Sequence, residues 1–485
     1  MAEVVVVGGG PVGMLLAAEL ALHNIDTVVL EKLPRPDKMP KAANMHARTA
    51  QTMHRRGLLE QVSRPARWVK SEAFHFGGIF GLDIKAVVDE GPPIVNSPQN
   101  IAEQVFADRA EQLGAIIKRG HTVSDVRQDA DQVCLTVEGP EGPYELTASY
   151  VVAADGSHSV VRIAADIDFV GTGPSVAALS GQVRLTEAGT APSGWHRTPR
   201  GWLMMWVNPF GHSRISTYDF RGPHVDRHAP VTLAEFQEMV EHIAGRPIPM
   251  SEGRNLGRYS DTAKQAAQYR KGRIFVAGDA AHSHFPWGGQ GLNTGLQDAV
   301  NLGWKLAGAV QGWAPAELLD TYHTERHPVA ARVIWNVRAQ NALANPDPRM
   351  DPLRELFGEL MKLDQVNDYL ATMLSGVNIR YELGKGQMVG EFAPDQKLHT
   401  PAGIVTIAEL LHDGKAVLID FTDAGHLFEA TAPWLDRVIA THATAISTLP
   451  NGMLIRPDGY VVWTGDERNS LLAALRQWFG EGHAQ

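Results

Sequence analysis

The pattern of hydrophobic and polar positions predicts a strand, a turn, a helix and a second strand at the start of the chain. Residues 4–7 are all valine, a run typical of a strand buried on both faces of a parallel sheet. A glycine-rich turn and an apolar helix over residues 14–23 follow, and a second strand over residues 27–30 ends at Glu31. This order predicts a βαβ unit.

The same patterns predict further elements along the chain. Helices are predicted over residues 41–64, 99–116 and 294–310, and buried strands over residues 133–137, 150–154 and 274–277. Strand-like runs separated by turns over residues 166–265 predict an inserted antiparallel sheet. A glycine linker at 384–386 precedes a second α/β pattern, so we expect a separate C-terminal unit.

Composition narrows the classes of protein that remain. The chain has 485 residues, 44% hydrophobic and 20% charged, which suits a globular protein of about three domains. Its formal net charge of −10 gives no basic excess, so we expect no nucleic-acid partner. One cysteine, Cys134, excludes internal disulfides and favours a reducing compartment. With no signal peptide pattern and no long apolar run, we expect a cytoplasmic protein without membrane contact.

Gly8, Gly10 and Gly13 form the pattern GxGxxG between the predicted strand and helix. In such a turn a pyrophosphate approaches the backbone at a helix N-terminus, whose free N–H groups favour negative charge. Glu31, at the end of the next strand, would bind an adenosine ribose and disfavour a 2′-phosphate. The motif predicts a site for the ADP part of FAD or NAD rather than of NADP.

A second motif follows the strand at 274–277. Asp279 lies at the carboxyl end of that strand, where open α/β sheets bind ligands and where a carboxylate would bind a polyol. The glycine-rich loop from Phe285 to Asn293 lets a flat ring lie against backbone at the start of a long helix. That helix end would stabilise the negative charge of a reduced flavin, so the two motifs together favour FAD.

These motifs, with Asp155-Gly156 after the strand at 150–154, resemble the class A flavoprotein monooxygenases, the FAD-dependent aromatic hydroxylases. The stretch from Gly278 to Leu306 is similar to that family's long signature. Residues 45–48, 56–59 and 76–80 are most similar to rifampicin monooxygenases and aromatic polyketide hydroxylases, and the C-terminal unit resembles the thioredoxin-like tail of larger members. The resemblance covers nearly the whole chain and is thinnest over residues 166–265.

The resemblance implies an α/β fold with a Rossmann-like FAD-binding domain, an inserted antiparallel-sheet substrate domain and a thioredoxin-like C-terminal domain. The expected ranges are 1–72, 98–165 and 266–383 for the FAD-binding domain, 73–97 and 166–265 for the substrate domain, and 387–485 for the C-terminal domain. The implied cofactor-binding residues are Gly8, Gly10, Gly13, Glu31, Lys32, Lys41, Arg48, Gln99, Asp155, Asp279, Pro286, Gly289, Gly291, Leu292 and Asn293. The chain departs from the family pattern at residues 41–43, where relatives carry arginines, and at Trp287, where they carry a small residue.

We expect the substrate pocket between the FAD-binding domain and the inserted sheet, because ligand sites favour domain interfaces. Its expected wall comprises Phe74, Phe76, Trp202, Met205, Trp206 and Trp287, although each would also suit a hydrophobic core. This set favours a large, flat, apolar substrate. The spacing of His282 and His284 occurs in metal sites, but no third ligand lies nearby in the sequence, so no metal is expected.

The resemblance implies an enzyme that uses NADPH or NADH as a transient co-substrate and hydroxylates an aromatic substrate with O2 through a flavin C4a-hydroperoxide. Two alternatives remain: a flavin-dependent halogenase or reductase, and a non-catalytic flavin-binding protein. In residues 201–206 the second tryptophan does not stand where the halogenase pattern GWxWxIP requires it, which disfavours a halogenase. The motifs expected on both sides of a flavin disfavour a non-catalytic binding protein. The sequence leaves open the substrate, the position oxidised, and whether the chain is a monomer or a homodimer.

Overall fold

The structure, a computed structural model, describes residues 2–36, 42, 44–64, 74–226 and 229–483. Its strands are β1 (Ala2–Val7), β2 (Thr27–Glu31), β3 (Asn44–His46), β4 (Phe74–Phe76), β5 (Ile79–Leu82), β6 (Ile94–Asn96), β7 (Ile116–Arg119), β8 (Thr122–Gln128), β9 (Val133–Gly139), β10 (Gly142–Ala153), β11 (Phe169–Thr172), β12 (Ala177–Leu185), β13 (Gly194–Thr198), β14 (Gly201–Trp206), β15 (Ser213–Asp219), β16 (Met250–Ser260), β17 (Ala263–Ala266), β18 (Arg270–Lys271), β19 (Ile274–Val276), β20 (His282–Ser283), β21 (Lys397–Thr400), β22 (Gly403–Thr406), β23 (Ala416–Asp420), β24 (Val438–His442), β25 (Gly452–Ile455) and β26 (Val461–Thr464). Its helices are α1 (Pro11–Leu22), α2 (Ala47–His54), α3 (Leu59–Ser63), α4 (Gln99–Gln112), α5 (Val160–Ala164), α6 (Leu233–Ala244), α7 (Gln290–Val310), α8 (Thr321–Ala344), α9 (Asp351–Leu360), α10 (Asp364–Ser375), α11 (Ile407–Leu410), α12 (His426–Ala430) and α13 (Arg468–Phe479).

The main sheet brings the ends of its parallel strands to one edge. Its order is β18-β19-β10-β1-β2-β7; β1 runs parallel to β2 and β10, and β10 runs parallel to β19. The valines of β1 are buried in the core that α1 and α7 share, so this strand is an unbroken apolar run. The turns after β1, β2, β10 and β19 carry the glycine pattern, Glu31, Asp155 and Asp279, and all of them follow strands that end at this edge.

A second sheet, with the order β13-β14-β15-β12-β16, has two differently covered faces. On one face Leu203 and Met205 of β14 pack with Phe236 of α6. On the other face Trp202 packs with Trp287, which belongs to the loop before α7. This second face is the boundary between the inserted sheet and the rest of the molecule.

The hairpin of β4 and β5 lies between that sheet and the helices after α8. On the side of the sheet, the ring centre of His75 lies 4.6 Å from that of Trp195. Phe76 and Leu82 are buried against Leu370 and Leu374 of α10, and Phe76 stacks on Phe357 of α9 with ring centres 5.3 Å apart. Residues 74–82, which the sequence assigned to the substrate unit, therefore form a bridge to the helices that follow α8.

The C-terminal unit, whose sheet has the order β24-β23-β25-β26, docks on α7 and α8 through a buried ion network. Arg456, directly after β25, is 0% exposed and forms a bidentate ion pair with Glu325 of α8, both N–O distances being 2.7 Å. The Nε of Arg456 donates to Asp458 at 3.0 Å, and Lys305 of α7 donates to Glu325 at 2.9 Å. Two positive and two negative charges thus share one buried site, where burial lowers the pKa of Lys305 to about 8.

The predicted strands at 4–7, 27–30 and 133–137 are confirmed, and the predicted long helix begins earlier, at Gln290. The prediction of one helix over 41–64 is wrong. Residues 44–46 instead form β3, which pairs antiparallel with β6. The predicted helix over 99–116 ends at Gln112, and Ile116 begins β7.

Candidate active site

The glycine turn between β1 and α1 has one open face. Gly8 has a φ of +108°, and a Cβ there would lie 2.3 Å from the carbonyl oxygen of Ala154. A Cβ on Gly13 would lie 2.0 Å from the carbonyl oxygen of Gly8, so the fold itself requires both glycines. A Cβ on Gly10 would meet no atom of the described residues within 4 Å. At Gly10 a pyrophosphate can therefore approach the first turn of α1.

Glu31 joins the end of β2 to this turn. Its Oε2 accepts a hydrogen bond from the N–H of Gly9 at 2.6 Å, and its Oε1 accepts one from the N–H of Leu33 at 2.7 Å. Each oxygen keeps a further lone pair for a ribose hydroxyl. Lys32 is exposed beside it. The carboxylate is thus held beside the glycine turn, and its contact with a ribose stays a prediction.

Asp298 of α7 holds the turn after β19. It is 0% exposed and accepts hydrogen bonds from the N–H of Gly278 at 3.1 Å, from His282 Nε2 at 2.7 Å and from Arg326 Nε at 2.8 Å. Burial raises the pKa of Asp298, but Arg326 and His282 outweigh burial and bring the pKa below its usual value. Asp279, on the same turn, is exposed, so its carboxylate is accessible to a polyol. Sequence reasoning found Asp279 but missed Asp298 and Arg326.

Asp155 belongs to the same edge of the main sheet. Its Oδ2 accepts hydrogen bonds from the N–H groups of Val160 and Val161 at 2.8 and 3.3 Å, at the start of α5. Burial raises its pKa, and its Oδ1 is buried without a partner among the described residues. Arg162 of α5 donates to the carbonyl oxygen of Ala280 at 2.9 Å. The turns after β10 and β19 are therefore joined directly.

Hydrogen bonds from β3 hold the glycine loop before α7. Gly288 and Gly289 have φ values of +73° and +65°, a conformation that favours glycine. Asn293, in the first turn of α7, accepts from the N–H of His46 at 2.7 Å and donates to the carbonyl oxygen of Gly289 at 2.8 Å. The His46 Nε2 lies 2.8 Å from the carbonyl oxygen of Gly288. Burial lowers the pKa of His46 to about 4, so this ring, which sequence reasoning did not place in the site, is neutral.

The other residues expected at the cofactor occupy varied positions. Gln99 exchanges two hydrogen bonds with Ala42, at 2.9 Å from its N–H and 3.3 Å to its Oε1. Pro286 is exposed beside the glycine loop, and Leu292 packs partly against the main core. Lys41 lies outside the described residues. The cofactor roles of Gln99, Pro286 and Leu292 therefore stay predictions.

Arg48, also expected at the cofactor, has several protein partners in the structure. The side chain is buried, and its guanidinium donates to Gln51 Oε1 at 2.8 Å and to the carbonyl oxygen of Val377 at 2.7 Å. It also lies over the ring of Phe392 in the C-terminal unit, 3.9 Å from the ring centre. These contacts bind the guanidinium to protein groups, and the expected contact of Arg48 with the cofactor stays a prediction.

Aromatic side chains form a wall between the glycine loop and the second sheet. The ring centre of Trp287 lies 5.7 Å from that of Trp202, 5.9 Å from that of Trp195 and 5.8 Å from that of His75. Phe74 stacks on His75 at 5.0 Å. Burial lowers the pKa of His75 to about 4, so a neutral imidazole lies among the rings. The sequence pointed to Phe74, Trp202 and Trp287 but not to His75 or Trp195.

Met205 and Phe76, both expected in this wall, face elsewhere. Met205 is buried on the α6 face of β14, so Met204 takes the position beside Trp202. The reason is the alternation of side chains along a strand, which puts 202 and 204 on one face and 203 and 205 on the other. Phe76 is buried against α9 and α10. Trp206 is 49% exposed at the end of β14.

One group of three possible metal ligands occurs within the described ranges, formed by His54, Glu90 and Asp395. Glu90 already forms a bidentate ion pair with Arg55, at 2.6 and 3.0 Å. His282 and His284 do not belong to this group.

Comparison with known protein families identifies the family of this chain. A family model described as FAD binding domain matches residues 1–337, and one described as aromatic-ring hydroxylase, C-terminal, matches residues 386–482. The chain belongs to the FAD-dependent aromatic-ring hydroxylases. This hydroxylase has no helix within the described ranges that is long and apolar enough to cross a bilayer.

Relatives of this hydroxylase are named for the oxidation of tetracycline compounds and of rifampicin. The 12-dehydrotetracycline 5-monooxygenase/anhydrotetracycline 6-monooxygenase of Streptomyces rimosus subsp. rimosus is 40% identical over 498 residues, covering 99% of each chain. The rifampicin monooxygenase of Streptomyces venezuelae is 38% identical over 493 residues, covering 100% of each chain. The solved structure of an anhydrotetracycline hydroxylase from Streptomyces rimosus is similar with a TM-score of 0.91 and 39% identity, over 99% of this chain and 100% of that one. The predicted family, α/β fold and FAD cofactor are confirmed, and the thioredoxin-like character of the C-terminal unit stays a prediction.

The residues of this hydroxylase fit FAD. Gly10 leaves an open face that would admit a pyrophosphate, and Glu31 and Asp279 carry acceptors that suit ribose and ribityl hydroxyls. The N-terminal ends of α1 and α7 face the same edge of the main sheet and favour negative charge. The left-handed glycines before α7 give a flat ring direct access to backbone.

Proposed function

We propose that this hydroxylase uses NADPH or NADH and O2 to insert one oxygen atom into a large, flat aromatic substrate bound between the glycine loop and the second sheet. The observation that carries the proposal is the position of Trp287. It directly precedes the left-handed Gly288 and Gly289 and packs against Trp202 of the second sheet. A flavin on this loop would therefore lie beside an aromatic surface.

The side chains of this enzyme bind, orient and exclude water. FAD, when bound, supplies the redox chemistry and the activation of O2. Gly10 and the first turn of α1 would hold the pyrophosphate, Glu31 the adenosine ribose and Asp279 the ribityl hydroxyls. The N-terminus of α7 stabilises negative charge at the ring. The buried aromatic wall keeps water away from the reacting atoms.

The substrate class that suits this site is a polyketide, phenolic or rifamycin-like aromatic. A wall that contains Trp195, Trp202 and Trp287 offers ring contacts to a multi-ring molecule. Neutral His75 within the wall offers a hydrogen bond to a hydroxyl or carbonyl group. Relatives named for tetracycline and rifampicin chemistry support the same class.

A substrate screen tests this proposal. Oxidation of NADPH and NADH would be followed with anthracyclines, tetracyclines, naphthoquinones, rifamycins and simple phenols, and products identified by mass. We expect a polycyclic aromatic to accelerate NAD(P)H oxidation and to gain about 16 mass units, one oxygen atom. A halogenated product, NAD(P)H oxidation without oxygen insertion, or no turnover with any aromatic would contradict the proposal and indicate one of the alternative functions.

Gly10→Ala tests the pyrophosphate position. The apo protein should fold normally, because the added Cβ meets no atom of the described residues within 4 Å. FAD should bind at least roughly tenfold more weakly, because the methyl group occupies the approach to α1. Gly173→Ala, which also adds a Cβ in open space, is the matched control. Equal FAD dissociation constants for the two variants would contradict the assignment.

Asp279→Asn tests the polyol contact. Hydrogen bonds to a charged group contribute about 1.5–3 kcal/mol, so we expect FAD to bind roughly 10- to 150-fold more weakly. Folding should be unaffected because Asp279 is exposed, as is Asp423, whose Asp423→Asn variant serves as the control. Undiminished FAD affinity of Asp279→Asn would remove this residue from the site.

We further propose that the enzyme acts in the cytoplasm as a monomer or homodimer. The free Cys134 is compatible with a reducing compartment. Size-exclusion chromatography with light scattering would decide between monomer and homodimer.

A further inference from the structure

His284 carries a ring nitrogen whose lone pair is unused by the described residues. Its Nδ1 lies 2.9 Å from the carbonyl oxygen of Phe285. A carbonyl oxygen only accepts hydrogen bonds, so Nδ1 holds the proton of the neutral ring and Nε2 is the acceptor. Burial lowers the pKa of His284, which keeps the ring neutral. The Nε2 is buried and has no hydrogen-bond partner among the described residues, and buried polar atoms in native proteins usually have one.

The surroundings of His284 indicate where a donor would come from. A Cβ on Gly291 would lie 3.6 Å from Nε2, so this edge of the ring faces the first turn of α7. The charge of Asp279 acts on the ring and partly offsets the effect of burial on its pKa. The Nε2 thus lies near Gly291, expected beside the flavin ring, and within electrostatic reach of Asp279, expected beside the ribityl chain.

Two neighbouring acceptors suit a ligand that carries several donors. Asp279 offers carboxylate oxygens and His284 offers a nitrogen lone pair, whereas a polyol offers a row of hydroxyl groups. We propose that the Nε2 of His284 accepts a hydrogen bond from a ribityl hydroxyl of FAD and thereby positions the cofactor along the glycine loop. This inference rests on the FAD site of the proposed function and adds His284 to it as a positioning residue.

Two substitutions of His284 distinguish the acceptor role of Nε2 from the hydrogen bond that Nδ1 donates to Phe285. In His284→Gln the side-chain oxygen can reach the position of Nε2, but the donor to Phe285 is lost. In His284→Asn the amide nitrogen can replace Nδ1 as donor to Phe285, but nothing reaches the position of Nε2. We expect His284→Asn to bind FAD roughly five- to tenfold more weakly than the wild type, and His284→Gln to stay within about threefold of it.

The measurement is the dissociation constant of FAD for each apo protein, from quenching of flavin fluorescence. His399→Asn, at an exposed position of β21, controls for the substitution itself, and thermal unfolding of the apo proteins reports any loss of folding. Wild-type affinity in His284→Asn, or equal weakening in both variants, would overturn the acceptor role. A shift of the bound flavin's visible spectrum in His284→Asn would place the contact on a ring N–H and overturn the ribityl assignment. Failure of the wild type to bind FAD would instead contradict the proposed function.

Discussion

Replacing Arg456 by methionine should loosen the C-terminal unit from α8. Methionine keeps an apolar stem but removes all the guanidinium donors. The carboxylates of Glu325 and Asp458 would then share one positive charge, that of Lys305, where two are present now. Removing one partner of a buried ion pair costs roughly 3–5 kcal/mol, because an uncompensated charge remains. Since Lys305 and Asn301 still bind Glu325, at 2.9 and 2.7 Å, we expect about 3 kcal/mol.

Amide hydrogen exchange in β25 measures this effect locally. A loss of about 3 kcal/mol in opening free energy corresponds to roughly 150-fold faster exchange of the amides that open with undocking. Arg476→Met is the matched control: Arg476 also lies in the C-terminal unit and pairs with Glu481 at 3.2 Å, but its side chain is 52% exposed. An exposed pair contributes at most about 1 kcal/mol. Equal exchange of β25 in the two variants would refute the reasoning.

Gly13→Ala should prevent folding of the βαβ unit at the start of the chain, because the added Cβ would lie 2.0 Å from the carbonyl oxygen of Gly8, whereas Gly10→Ala should fold. Soluble yield and circular dichroism compare the two variants, and a folded Gly13→Ala protein would contradict the geometry. Stability should fall as the pH drops from 6.5 to about 4, because His46 stays neutral in the fold while the unfolded chain takes up a proton there. His46 should account for up to about 3 kcal/mol of the loss in the free energy of unfolding. The urea midpoint of His46→Gln should therefore depend less on pH in that range than the midpoint of the wild type, and an equal pH dependence would contradict the prediction. Gly291→Val should increase the fraction of NADPH oxidation that yields hydrogen peroxide instead of hydroxylated product, because the side chain fills the surface on which the flavin ring would lie. Peroxide and hydroxylated product would both be measured, and a variant that forms no extra peroxide would exclude Gly291 from the flavin surface.

The parts of the site that depend on local sequence were predictable. The glycine pattern, Glu31 and Asp279 each follow a short apolar run, and an apolar run followed by glycine or a carboxylate is a local pattern. Because parallel strands end at the same edge of a sheet, their convergence follows from the βαβ order as well.

The parts that depend on distant partners were not predictable. Residues 44–46 form a strand because they pair with β6 and bind Asn293, which lies 247 residues after His46. The sequence predicts Met205 rather than Met204 in the aromatic wall because composition does not tell which face of a strand meets α6. Arg48 has the charge of a phosphate ligand, but its surroundings come from residues beyond 375. Such positions are fixed by packing between units.

The docking network also limits how this enzyme can be recombined. Glu325 lies within the segment matched by the FAD-binding family and Arg456 within the segment matched by the C-terminal family. A chimera that took its C-terminal unit from a hydroxylase lacking a cation at this position would bury Glu325 without its bidentate partner. The crossover would succeed only if Lys305, Asn301 and Glu325 were exchanged together with Arg456 and Asp458. The two matched segments would therefore have to be exchanged with this network kept as one block.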